Sequence, residues 1–150
     1  MNAEVHIAFE PAINWLAAIN NKIGSSLAAA LEESAELVYE YAIENAPMKT
    51  GKLKNSIKKK VVLGSHPHAS VWTSDKKAQW MEFGTSPHTI TPKNGKFLKF
   101  QAGGRTVFAR VVHHPGTKAT HFMKRALVEQ DGMIKNIFAR AIANAIRTGS

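Results

Sequence analysis

The seven histidines are the residues with the clearest capacity for chemistry in this 150-residue chain. His66 and His68 flank Pro67, so an extended segment would place both imidazoles on one side. His113 and His114 are adjacent, and a strand would point them to opposite faces. Zinc needs three or four suitable ligands, and no His-x-x-x-His pair is present. We expect loop histidines rather than a metal site, and we expect no cofactor.

Other catalytic patterns are also missing from the sequence. The chain has no cysteine, and no serine stands in a Gly-x-Ser-x-Gly elbow. A Ser-His-Asp triad would have to use Asp75 or Asp131, the two aspartates of the chain. The glutamates cluster on one segment instead of flanking a cleft, and Gly103-Gly104 lacks the Gly-Lys-Ser/Thr ending of a phosphate loop. We expect a protein that is not an enzyme.

Lysines form a stronger chemical pattern. Those of the densest stretch are Lys49, Lys52, Lys54, Lys58, Lys59 and Lys60, and Lys76, Lys77, Lys93 and Lys96 stand in predicted loops. Such a surface can contact phosphates, and Trp72, Trp80 and Phe100 could stack on bases. Aromatic residues in strands are more often core residues, however, and no nucleic-acid-reading motif is present. The pattern allows loose contact with a DNA backbone and argues against sequence-specific binding.

Acidic residues are concentrated at the other end of the chain. Residues 1–46 carry seven acids and one base, a net charge of −6, whereas residues 47–150 carry four acids and nineteen bases, a net charge of +15. Four glutamates recur every four residues, so one helix face would carry repelling like charges. They are Glu32, Glu36, Glu40 and Glu44. This acidic stripe either is a solvated face or matches basic residues of a second subunit, and the charge split favours polyanion contact or self-assembly.

Length and composition indicate one globular domain, residues 1–150. Apolar residues make up 44% of the chain, which is typical of a folded protein. Without cysteine there is no disulfide framework. No apolar stretch reaches the length of a signal peptide or a membrane span. We expect a soluble protein that is made in the cytoplasm and does not contact a membrane.

Apolar periodicity predicts two long amphipathic helices. The first begins near Pro11, which suits a first helical turn, and ends before Pro47. Gly24-Ser25-Ser26 either kinks this helix or divides it in two. The second runs from about His121 to Ile146. Its predicted apolar face consists of Met123, Ala126, Leu127, Ile134, Ile137, Phe138, Ala141 and Ala145.

Alternating patterns between the helices predict strands. We predict strands at 4–9, 56–63 and 69–73, and a hairpin of 97–101 with 105–112 joined through Ala102-Gly103-Gly104. Residues 78–83 could be helix or strand, and Gly84 is expected to take a positive φ. Residues 86–96 and 113–120 are predicted as loops. The fold class is α+β, with an antiparallel sheet of about four to five strands packed with the N-terminal and C-terminal helices.

Three short motifs occur in a fixed order: "NAPMKTGKLKNSI" at 45–57, "WMEFGT" at 80–85 and "HPGTKATHFMKRAL" at 114–127. Together they resemble the tail-component, or tail-completion, proteins of the head–tail junction of tailed double-stranded DNA bacteriophages. The matching positions are Ala46, Pro47, Thr50, Gly51, Leu53, Ser56, Trp80, Glu82, Gly84, Thr85, Phe122 and Ala126. Two positions depart from the pattern, because members often carry Tyr in place of Trp80 and Pro in place of His121.

The resemblance implies a structural virion protein of the neck or tail, assembled in the host cytoplasm. Such proteins are expected to form a ring, with six subunits expected, that joins the head connector to the tail tube and leaves a channel for DNA. The implied partners are further copies of the chain, head connector or adaptor proteins, a tail terminator or tail tube protein, and passing double-stranded DNA. The alternative is a basic nucleic-acid-binding module without sequence specificity.

Two sets of residues follow from this interpretation. Thr50 is expected to cap a helical turn, Leu53 and Phe83 are expected to be buried, and Pro47–Ser56 and Trp80–Thr85 are expected to hold the fold together. Interface residues are expected on the acidic stripe, the basic strand and the two loops. The candidates are Glu32, Glu36, Glu40, Glu44, Lys58, Lys59, Lys60, Thr85, Pro87, His88, Lys93, Lys96, His114, Lys118, Lys124 and Arg125.

Overall fold

The computed structural model describes residues 4–8, 21–47 and 51–147 and has the predicted α+β architecture. In chain order the elements are β1 (Glu4–Ala8), α1 (Asn21–Asn45), α2 (Lys52–Ser56), β2 (Ile57–Val62), β3 (His68–Thr73), α3 (Lys77–Phe83), β4 (His88–Ile90), β5 (Leu98–Ala102), β6 (Arg105–Ala109), β7 (Val112–His114) and α4 (Phe122–Arg147). Among these residues, no helix is both long and apolar enough to cross a membrane.

The core lies between α1, α4 and a three-stranded sheet. α1 packs along α4 and also against β2 and β3. Fully buried alanines, including Ala35, Ala42 and Ala126, lie in the interior of this core, where their small side chains permit a close approach of the elements. Larger side chains fill the space beside them, among them Leu31 and Ile134. Periodicity predicted this contact, because all eight residues of the predicted C-terminal face are buried or partly buried.

The sheet has the order β1-β3-β2, with both pairs antiparallel. In β3, Ala69, Val71 and Thr73 are at most 1% exposed and share the face against the helices. Ser70 on the other face is also buried, at 7% exposure, because β3 is the central strand. β2 is an edge strand, and Lys58 and Lys60 are exposed on it. Lysine on an edge strand discourages pairing with other chains.

Most predicted boundaries of the long elements agree with the structure. α1 continues through Gly24 without a break and ends at Asn45, two residues before the half-buried Pro47. The predicted start of this helix near Pro11 lies outside the described residues. Residues 78–83 are helical within α3, and the predicted hairpin is formed by β5 and β6.

The two predicted loops contain strands that the sequence analysis missed. β4 lies within 86–96 and β7 overlaps 113–120, and the two pair antiparallel with His88 opposite His114. Each has three residues and no alternation of apolar and polar types, so neither gives a strand pattern of its own. The seven strands also divide among three small sheets instead of one.

Candidate assembly interface

The first motif joins α1, α2 and the sheet. Ala46 is buried after the end of α1, and Leu53 is buried as predicted. Gly51 takes the N-cap position of α2 with φ of 74°, a left-handed conformation that glycine tolerates. Among the described residues, no side chain caps this turn. The predicted cap by Thr50 lies outside the described residues and stays a prediction.

Ser56 connects the end of α2 to the end of β3. Its hydroxyl donates to the carbonyl oxygen of Leu53 at 2.7 Å and lies 2.6 Å from the hydroxyl of Thr73. Since the Ser56 proton is used on Leu53, the Thr73 hydroxyl must donate to Ser56 Oγ. Thr73 Oγ1 in turn accepts from the backbone N–H of Asp75 at 3.2 Å. The motif serine therefore holds two elements together.

Glu82 connects the second motif to the third. Its side chain is only 3% exposed. The carboxylate accepts hydrogen bonds from the backbone N–H groups of Met123 at 2.9 Å and Lys124 at 3.0 Å. Those amides belong to the first turn of α4, which has no intrahelical acceptors for them. A negative charge at this end also interacts favourably with the helix dipole.

Backbone hydrogen bonds extend this connection on both sides of Glu82. Thr85 and Thr117 exchange N–H to carbonyl bonds of 2.8 and 3.1 Å. Gly84 has φ of 73°, and a Cβ there would lie 2.6 Å from the carbonyl oxygen of Thr117. A Cβ on Gly116 would lie 2.2 Å from the carbonyl oxygen of Thr85. We call this paired region, residues 81–85 with 116–124, the clasp.

His121 enters α4 in a conformation that proline cannot adopt. Its φ is 52°, whereas the proline ring holds φ near −65°. The His121 N–H donates to the carbonyl oxygen of Glu82 at 3.2 Å, a bond that proline also lacks. The departure from the phage pattern at this position therefore corresponds to a local difference in the backbone.

The prediction that Phe83 is buried is wrong. Phe83 is 63% exposed, and Glu82 is buried in its place. Ala78 and Glu82, four residues apart, share the inward face of α3, so Phe83 points away from the core. Because carboxylates are almost never fully buried without partners, the sequence pattern favoured the phenylalanine.

The acidic stripe is partly neutralised within the chain. Glu36 forms an ion pair with Lys59 of β2, and the adjacent Glu33 pairs with Arg140 of α4 at 2.6 Å. The hydrogen bond that Lys59 donates to Glu36 raises the pKa of Lys59 above its ordinary value of 10.5. The rest of the stripe is exposed and forms no ion pair within the described residues. This remainder consists of Glu32, Glu40 and Glu44.

Of the three predicted interface lysines on β2, two remain available to a partner. Lys58 and Lys60 are exposed, whereas Lys59 is half-buried and paired with Glu36. Lys118, in the loop before α4, and Lys124 and Arg125, in the first turns of α4, are also exposed. Arg125 also forms a long ion pair of 3.8 Å with Glu129.

His88 and His114 line a cleft between α3 and the β4–β7 pair. Their rings stack with centroids 5.0 Å apart. The cleft has a volume of about 470 Å³, and Trp80 and Ile90 supply its apolar walls. Thr85 of the clasp also lines this cleft, while Pro87 beside it is exposed. In the part of the chain that the structure describes, no three metal-ligating side chains come together.

The β5–β6 hairpin carries exposed aromatic residues, and one of them, Phe100, was expected to be a core residue. Phe100 is 37% exposed and Phe108 is 63% exposed. Trp80 of the cleft is also exposed, and Trp72 of β3 is half-buried. Lys93 and Lys96 are exposed just before the hairpin. A signal for this surface was present in the sequence, because no acidic residue occurs between Glu82 and Glu129.

Similarity to a known protein family covers the first half of the chain. The model of the family described as "Bacteriophage HK97-gp10, putative tail-component" matches residues 8–84, about half of the chain. The match contains the first motif and ends at the clasp glycine Gly84, and the third motif lies beyond it. No curated protein and no solved structure matches the chain.

Proposed function

The chain belongs to the HK97-gp10-like family of phage tail components, and from this premise we propose that it is a neck or tail-completion protein of the head–tail junction. It forms a ring, with six subunits expected, between the head connector and the tail tube. The ring leaves a channel for DNA. The protein assembles in the host cytoplasm and acts by binding neighbours, without catalytic turnover.

The observation that supports this proposal is how polar residues of the motifs are used. Glu82 caps α4, and Ser56 bonds to Thr73 of β3. Thr85 lines the cleft, but its hydroxyl accepts the N–H of Thr117 at 2.9 Å, so these polar groups stabilise the fold. What the surface offers instead is opposite charge on different elements, which suits contacts between protein subunits.

Deleting the gene from its phage tests the proposal. We expect cells to accumulate DNA-filled heads and separate tails, visible by electron microscopy, because the joint between them is missing. Supplying the chain from a plasmid should restore joined particles. Normal virions formed without the chain would contradict the proposal.

A nucleic-acid-binding module is the second candidate, favoured by the exposed Lys58, Lys60, Lys93 and Lys96. Sedimentation of the purified chain at modest salt separates the two functions. Ring-sized particles without DNA support the neck protein. Tight binding of duplex DNA by a monomer, with no larger particles at any protein concentration, supports the binding module.

A further inference from the structure

The β5–β6 hairpin is an amphipathic ribbon, which we call the arm (residues 97–110). Leu98 stands opposite Ala109 and Phe100 opposite Val107, so these four side chains share one face. The other face is largely polar. It carries Lys99 above the ring of Phe108, and Gln101 hydrogen-bonded to Thr106 at 2.8 Å.

The apolar face of the arm has little cover in the monomer. Each strand of the arm packs mainly on the other, and no described helix or strand makes an extensive contact with either. A two-stranded hairpin alone in water is at best marginally stable. The arm therefore has the properties of an element that is completed by a partner.

Charge indicates what kind of partner the arm fits. Lys99, Arg105 and Arg110 give it three positive charges, and it has no acidic residue. Lys93 and Lys96 precede it directly. A complementary surface would combine apolar contact area with acidic side chains beside it.

The same chain presents such a surface between α1 and α4. A groove of about 310 Å³ runs there, with Leu37, Met133 and Ile137 forming its apolar part. Met133 is 55% exposed, which is unusual for a large apolar side chain on a helix beside the core. Glu33, Glu36 and Glu40 line the α1 side of this groove, opposite Arg140 and Asn136.

We propose that the arm of one copy lies in the α1–α4 groove of the next copy. The apolar face of the arm covers Leu37 and Met133, while Arg105, which stands opposite Ala102 on the same face, approaches the exposed Glu40. The inference rests on the proposed ring and names the two surfaces that form it. Because arm and groove are different surfaces, each copy uses one with each neighbour, and a heterologous contact of this kind generates a ring when the rotation between copies closes.

Two charge-reversed variants test the pairing. The arm variant is Arg105→Glu, and the groove variant is Glu40→Lys. Both side chains are exposed and form no ion pair within the described residues, so circular dichroism should show folded monomers. Each variant alone should self-associate at least about tenfold more weakly than wild type in sedimentation velocity, because like charges then face each other across the contact.

Mixing the two variants in equal amounts gives the decisive measurement. The acidic arm of the first variant fits the basic groove of the second, and the basic arm of the second fits the acidic groove of the first. Assembly should return in the mixture, with the two variants alternating. A chain carrying both substitutions should also assemble.

Lys58→Glu is the matched control, with the same charge change on β2. We expect it to assemble like wild type. If the arm variant assembles as well as wild type, the arm-and-groove contact is wrong but the ring is not. The same conclusion follows if the β2 control fails to assemble and mixing the arm and groove variants does not restore assembly. An arm variant that assembles normally but no longer retains duplex DNA would make the arm a nucleic-acid contact instead. A wild-type chain that stays monomeric would overturn both the contact and the ring.

Discussion

Glu82 shows how a charged residue can be buried at little cost. Its carboxylate replaces water as the acceptor for two amides at the start of α4, so the carboxylate and both amides are satisfied together. The arrangement joins residues that are about forty positions apart in sequence. For this reason we expect single changes at the clasp to affect the whole C-terminal helix.

Glu82→Ala should lower the free energy of unfolding by about 1–3 kcal/mol, because the amides of Met123 and Lys124 lose their acceptor. Glu82→Gln keeps one acceptor oxygen and should cost less. Urea titration measures both, with Glu44→Ala as the control at an exposed position. A loss below about 0.5 kcal/mol for Glu82→Ala, the range of ordinary surface changes, would contradict a capping role.

Gly84→Ala should cost at least about 2 kcal/mol. The new Cβ would lie 2.6 Å from the carbonyl oxygen of Thr117, and the φ of 73° with ψ of −179° is a region that essentially only glycine occupies. Gly103→Ala provides the comparison, since Gly103 also has a positive φ but open space around it. It should cost about 1 kcal/mol. Equal losses for the two variants would show that close approach to Thr117 does not matter.

At the scale of elements, the Glu36–Lys59 ion pair connects α1 to β2 and carries a pH dependence. Because the pKa of Lys59 is raised in the folded chain, its stabilisation is complete below the ordinary value of 10.5 and is lost as pH rises through the folded value. The free energy of unfolding of wild type should exceed that of Lys59→Met by up to about 1 kcal/mol at pH 8. The difference should shrink above pH 10.5.

Lys58→Met is the control for this pH dependence, since Lys58 is exposed and forms no ion pair within the described residues. Its difference from wild type should stay constant over the same range. Urea titrations at several pH values supply the measurement. A gap between wild type and Lys59→Met that persists unchanged to pH 11.5, about one unit above the ordinary value, would show that the ion pair is not its source.

The arm should be the least protected element in the monomer. Its backbone hydrogen bonds lack cover from other elements, and such segments open at low free energy. Hydrogen exchange should therefore be faster in β5 and β6 than in α1 or α4. Assembly should slow exchange in the arm and leave the core helices unchanged. Equal protection of the arm in monomer and assembly would mean that no partner covers it.

The sequence predicted those elements whose stability follows from their own pattern. Apolar periodicity located α1 and α4, and the Gly-Gly turn located the β5–β6 hairpin. The β4–β7 pair was missed because the clasp at its base brings these short segments together. The burial of Glu82 was missed because propensity places carboxylates on the surface, and its two amide partners are distant in sequence. Whether Phe100 is core or surface depends on neighbours that no local pattern reveals.

On the scale of the whole molecule, the separated charges should make assembly sensitive to salt. Raising the salt concentration from about 0.1 M to about 1 M shortens the screening length from about 10 Å to about 3 Å. Sedimentation over this range should show weaker assembly at high salt, while the unfolding free energy of the monomer changes little. Assembly that is unaffected or strengthened would indicate that apolar contact alone holds the subunits and that the acidic stripe is only a solvated face.

The Thr85–Thr117 bridge has a consequence for how such a protein can change over evolutionary time. Residues 86–116 leave the body and return to it at two hydrogen-bonded neighbours, so their length and sequence can vary without moving either end. Recombination between related phages at these two positions would transfer the arm and the β4–β7 pair as a unit. The exchanged segment would adapt the protein to a changed neighbouring virion protein, while α1, α4 and the three-stranded sheet keep the same structure.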